Sequence, residues 1–390
     1  MGAYHQMGHH SENLIFETQL NGYAGAILSP VNYAMTDVVV QVEDIRARKP
    51  EFDVVFDPQL YVPRRVRGEL SGWPYFPAAI DTADMSDLDW WKDVVEKLVT
   101  TCSSFSPNAI CSPAYLPQTF NNAYHDQIIR IGASLASRLN GQRTRPVQTF
   151  VANLSELTDV ARALEVASIA SKSKTRSIYL ILDTNLEPRR EISNGDGLRG
   201  ALILIGALSR AGFQVMVGFC SSDIVLWKAA GAASGATGKF FNLRRFTRSR
   251  WDEPSEGGQN LPYWFEEGLL AFIRDSDLIR LRADGKLSAT SLVNPVANEI
   301  FQKLDARKTL GAGERPPAWV GSGWRQYMYW FGDVEARLAA PGLSEALLTA
   351  AEAAWLALED DGFLMEEARN DGKWIRLWRR ALVESRKGLS

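Results

Sequence analysis

Cysteine, histidine and net charge are all scarce in this 390-residue chain, which has three cysteines, four histidines and a formal charge of −3. Cys102, Cys111 and Cys220 show no CxxC spacing, which argues against a disulfide framework or a cysteine-rich zinc site and fits a reducing cytoplasm. The 43 basic and 46 acidic residues nearly cancel, so no global charge favours nucleic acid. No uninterrupted apolar run reaches the roughly 18 residues of a membrane span. The N-terminus also lacks the charged-then-apolar order of a signal peptide. No cofactor is implied, because no G-x-G-x-x-G turn follows the first apolar run. The stretch "GAASGATGKF" (231–240) fails as a phosphate loop: Ala233 stands where the leading glycine belongs, and Phe240 where Ser or Thr belongs. Its glycines are expected to form a tight turn.

What the chain does have is alternation. Short apolar runs occupy 24–32, 52–61, 108–116, 146–154, 177–185, 213–223 and 238–246, with an eighth, "DLIRLRA", at 277–283. A helix-like stretch follows each run, "YWFEEGLLAFIRD" among them. Such alternation means βαβ units and a parallel sheet, and eight units suit a closed barrel. The expected fold class is therefore α/β: an N-terminal extension over 1–22, a (β/α)8 TIM-like barrel over 23–306, and a helical C-terminal region over 307–390 packed on the barrel. A Gly/Pro-rich connector, "LGAGERPPAWVGSG", opens that last region, and three amphipathic stretches follow it.

In a parallel barrel the loops at the C-terminal strand ends form the active face. Asp57 in "VVFDPQLY" and Asp183 in "LILDTN" each close a run of buried-type residues, so both carboxyls should project into the mouth. They are the candidate catalytic pair for acid/base or nucleophilic work; capping of their own loops is the plainer role. Asn32, Gln59, Asn153, Asn185 and Asn242 end other runs and are candidate substrate-binding residues, as is Asp223, which is equally a helix cap. Four arginines crowd into "RRFTRSRW" (244–251), of which Arg244 and Arg245 are candidates for phosphate or carboxylate contacts. The plainer expectation pairs these arginines with Asp252, Glu253 and Glu256.

The opening segment "YHQMGHHSENLIFE" holds His5, His9 and His10. Adjacent histidines face different ways, and His5 with His9 lacks companion ligands, so no metal is expected. His9 is retained as a possible mouth residue; the segment either crosses to the mouth or seals the opposite end.

The acid pair, arginines and aromatics point towards glycosidic-bond chemistry on a sugar, nucleoside or nucleotide. In outline, the barrel and its scattered acids are similar to glycoside hydrolases and tRNA-guanine transglycosylases, although the zinc-binding cysteine cluster usual in the latter is absent. The other expectation is a noncatalytic barrel that binds nucleic acid or a partner protein through the 244–251 loop and the C-terminal helices.

Overall fold

A computed structural model describes residues 2–20, 22–65, 67–77, 84–252, 261–310 and 314–389. Eight parallel strands close a barrel in simple sequence order. They are β1 (Ala3–Gln6), β2 (Tyr23–Leu28), β3 (Asp53–Phe56), β4 (Ala109–Cys111), β5 (Arg145–Asn153), β6 (Ser177–Asp183), β7 (Gln214–Val217) and β8 (Ser234–Thr237). Helices α1 (Met35–Arg48), α2 (Leu88–Cys102), α3 (Asn122–Arg138), α4 (Val160–Ala170), α5 (Gly195–Arg210) and α6 (Ile224–Ala229) follow β2 to β7 in turn. The expected α/β TIM-like barrel is the observed fold.

Three expectations about its strands need correction. The first strand lies in the opening segment: "AYHQ" pairs with β2 on one side and β8 on the other, closing the barrel. The run at 277–283 falls within α7 (Asp275–Ala283), which buries Asp277, Leu278 and Leu281 at helical spacing. The strand expected at 238–246 is β8, several residues earlier, and 238–246 is loop with a short 3-10 turn at Phe241–Leu243. Hence "GAASGATG" contributes a barrel strand as well as a turn. Its small residues have a packing cause, because a Cβ on Gly235 would meet the Ile224 side chain at 2.3 Å.

The stretch "YWFEEGLLAFI" is likewise no α-helix, holding only a 3-10 turn at Glu267–Leu269. It forms an antiparallel hairpin of β9 (Trp264–Glu266) and β10 (Ala271–Ile273), turned by Leu270 at φ +50°. Beyond α7, the short α8 (Ala289–Leu292) and α9 (Ala297–Ala306) lead to α10 (Val320–Arg337), α11 (Leu343–Asp360) and α12 (Lys373–Gly388). These C-terminal helices dock on the barrel. Tyr23 of β2 donates to the Met328 carbonyl at 2.9 Å, Thr237 of β8 bonds the Tyr327 hydroxyl at 2.8 Å, and Lys228 of α6 pairs with Glu335 at 2.8 Å. On α12, Trp374, Ile375, Trp378, Ala381 and Leu382 are buried, so "WIRLWRRALVESRK" is a packing helix. Among the described residues, no helix is long and apolar enough to cross a membrane.

Candidate active site

Polar side chains fill the C-terminal end of the barrel interior. The hydroxyl of Tyr179 on β6 donates to Gln6 Oε1 on β1 at 2.9 Å. Those strands are separated by β7 and β8, so the bond spans the barrel's inside. Above this floor, Asp57 is buried just past β3. Both its oxygens accept from the Tyr61 hydroxyl at 2.9 Å, and its Oδ1 also accepts from the Gln59 amide at 3.0 Å. Burial pushes its carboxyl up to about 6, while the Gln59 and Tyr61 donors and the Arg250 charge restrain the rise. Ser29, past β2, donates to Gln59 Oε1 at 3.0 Å and accepts from Asn32 at 2.6 Å.

A second cluster surrounds Asp183 at the end of β6. Its Oδ2 accepts from Asn153 Nδ2 of β5 at 3.2 Å and from Arg248 at 2.9 and 3.2 Å. Its Oδ1 accepts from the Asn185 amide at 3.3 Å. A third cluster centres on Arg245, which reaches Glu191 at 3.1 Å and Asp223 at 3.4 Å. Burial raises both acids, Glu191 to about 7, against the opposing pull of Arg245.

The loop after β8 ties these clusters together by sending each arginine to a different address. Arg244 stands 3.8 Å from the Tyr327 ring centre and also faces Phe241 and Phe272, with its donors on the carbonyls of Gly238 and Lys239. It anchors the loop to the C-terminal helices. Arg245 holds the Glu191–Asp223 pair, Arg248 holds Asp183, and Arg250 points towards Ser29 and Asp57. Three of the four are buried, at 2%, 3% and 7% exposure for Arg244, Arg245 and Arg250. Trp251 and Phe246 of the same loop pack on Tyr61 at 5.4 and 5.3 Å between ring centres, roofing the mouth with aromatic rings. Asp252 pairs with Arg65 across the rim, whereas Glu253 and Glu256 lie outside the described residues.

Backbone strain concentrates at the same end. His10, Gln59, Asn185 and Phe219 are non-glycine residues with φ between +50° and +55°, and they follow β1, β3, β6 and β7 respectively.

The structure thus brings Asp57, Gln59 and Asn32 into one group, Asp183 and Asn153 into another, and Asp223 with Arg245 into a third. Asn185 sits in an exposed turn, and Asn242 is half-buried in the 3-10 turn. Asn185 meets Asp183 through its backbone amide alone, and Asn242 makes no hydrogen bond to Asp57 or Asp183 among the described residues. Arg244 is turned away into its aromatic cage. His9 is exposed in the turn after β1, its ring on that of His10 at 3.8 Å. His5 is buried at the Tyr23 ring edge, with its pKa lowered to about 3 by burial and then by Lys239. Tyr4 donates to Asp53, at the opposite end of β3 from Asp57. The opening segment therefore reaches the site through Gln6 rather than through a histidine.

Gln6, Tyr61, Tyr179, Arg250 and Glu191 join the site without having been singled out. Tyr179 carried one usable signal, a hydroxyl in the middle of the apolar run "SIYLILD". An open cleft of about 920 Å³ lies on the rim beside α3, lined by Tyr115, Tyr124, Gln127 and Arg130 among others, and includes neither Asp57 nor Asp183. The buried titratable groups Asp57, Asp183, Glu191 and Asp223 gather instead at the mouth. Among the described residues, no three His, Cys, Asp or Glu side chains are grouped to hold a metal ion. No protein-family model matches this chain, and no curated protein matches it in sequence.

Proposed function

We propose that this protein is an enzyme that breaks or exchanges a glycosidic bond in a sugar, nucleoside or nucleotide at the barrel mouth. The observation that carries this reading is Asp57, a carboxyl buried in the mouth and poised to hold a proton near pH 6. Asp57 donates that proton to the leaving group, which departs with the bonding electron pair. Asp183, oriented by Arg248 and Asn153, stabilises the cationic sugar. Water then adds to the sugar carbon and returns a proton to Asp57. Because Trp251 and Phe246 roof the mouth, the loop that carries them has to shift for a ligand to enter.

Binding of nucleic acid or a partner through the 244–251 loop draws less support, because most of its guanidinium groups face inward. Three buried free cysteines support a cytoplasmic setting. The test is turnover of nitrophenyl glycosides and nucleosides by Asp57→Asn and Asp183→Asn, each with its fold checked by circular dichroism. Asp57→Asn should lose roughly 10²- to 10⁴-fold in kcat. Full activity in both variants would remove the acid pair from the mechanism.

A further inference from the structure

We propose that Gln6, Gln59 and Arg250 at the barrel mouth together bind an oxyanion carried by the substrate, so that the substrate is a sugar acid or a sugar phosphate. The proposal rests on the reading of the mouth as the substrate site, and narrows it.

Arg250 is buried, yet among the described residues its guanidinium makes one hydrogen bond, at 3.4 Å to Ser29 Oγ, and no ion pair. Its Nε has no partner. The nearby carboxylate, Asp57, is occupied by Tyr61 and the Gln59 amide. A buried cation without a contacting counter-ion is heavily penalised, and a bound anion removes the penalty.

The neighbouring amides have the same bias. Gln6 Oε1 is taken by Tyr179 and Gln59 Oε1 by Ser29, which leaves Gln6 Nε2 and Gln59 Nε2 buried and unpartnered. Ser29 links Gln59 to Arg250, and Tyr179, which holds Gln6, lies near enough to Arg250 to act on its charge. The unpartnered buried atoms of these three side chains are thus all N–H donors, beside the charges of Arg250 and Arg67. A carboxylate or phosphate, which only accepts, satisfies every one.

Calorimetric titration of the full chain with glucuronate, ribose 5-phosphate, glucose and ribose at constant ionic strength tests this. The charged sugar of at least one pair should bind roughly tenfold tighter than its neutral counterpart, as expected for a charge-assisted hydrogen bond. The pair that discriminates tells carboxylate from phosphate. Arg250→Lys and Gln6→Leu, each folded by circular dichroism, should each erase most of that preference. Equal binding of charged and neutral sugars overturns the proposal without any variant, as does a preference that survives both substitutions. Asp57→Asn separates the two readings. An oxyanion preference with unimpaired turnover in that variant supports the oxyanion site and sinks Asp57 as proton carrier. Lost turnover with no oxyanion preference does the reverse.

Discussion

Asp57 has a carboxyl that the fold raises to about 6 from an ordinary value of 3.8, chiefly by burial, and the sign of the consequence can be followed through pH. The folded state holds this proton more tightly than the unfolded chain, so stability falls as pH rises through that window and the loss is complete above it. A shift of this size corresponds to at most on the order of 3 kcal/mol. Asn at this position has similar shape and no charge to bury. Asp57→Asn should therefore melt higher than the wild type at pH above 7 and match it near pH 4, in thermal scans by circular dichroism. A difference that does not change with pH would mean the site stays solvated. If Asp57 is the acid of the reaction, kcat/KM should also decline about tenfold per pH unit above 6.

At the scale of elements, the loop after β8 organises the mouth, and Arg245 is its most exacting contact because it separates two buried acids. Replacing it with methionine leaves Glu191 and Asp223 facing each other without a cation, a change of about 3–5 kcal/mol. Both acids are already raised, so they take up protons as pH falls, and the defect should shrink in urea melts below pH 7. An equal loss at pH 5 and pH 8 would show that the lost packing, not the charge, sets the cost. The same elements show why part of the fold was legible in sequence and part was not. Runs such as "TFVAN" and "LILD" are apolar on both faces because helices cover a parallel sheet outside while side chains fill it inside, and Asp57 and Asp183 stand out where such runs stop. β1 offers no such contrast. It is four residues long, and two of them, Tyr4 and Gln6, make polar contacts through their side chains. Gln6 was hidden with its strand. β8 was hidden for the opposite reason: it is Ser, Gly, Ala and Thr, with Ile224 packed closely against Gly235. "DLIRLRA" alternates like a strand, but Leu278 and Leu281 also share a helical face, and Arg280 reaches back to Asp277 at 2.5 Å. Arg250 was visible only as one of four arginines; its separate address depends on the backbone path of the loop.

Across the whole molecule, a chain of contacts runs from the C-terminal helices to the mouth. Tyr327 of α10 bonds Thr237 on β8 and forms the closest wall of the Arg244 cage, and Arg244 begins the loop that places Arg245, Arg248 and Arg250. Trp378 of α12 donates to the Ile192 carbonyl, next to Glu191, at 2.8 Å. A cavity opened at Tyr327 is therefore felt at Asp57, although Tyr327 has no direct contact with it among the described residues. Tyr327→Ala removes a buried aromatic side chain and should cost about 3–5 kcal/mol. If barrel and helices fold together, tryptophan fluorescence and far-ultraviolet circular dichroism should report one shared midpoint in both proteins, shifted in the variant. Because the substitution loosens the loop that places Arg250, whose charge restrains the rise of the Asp57 carboxyl, binding of charged sugars should weaken and the pH at which activity falls should move upward. A variant that unfolds in two steps, or that keeps full affinity, would instead make the C-terminal helices a separate layer with no part in holding the mouth.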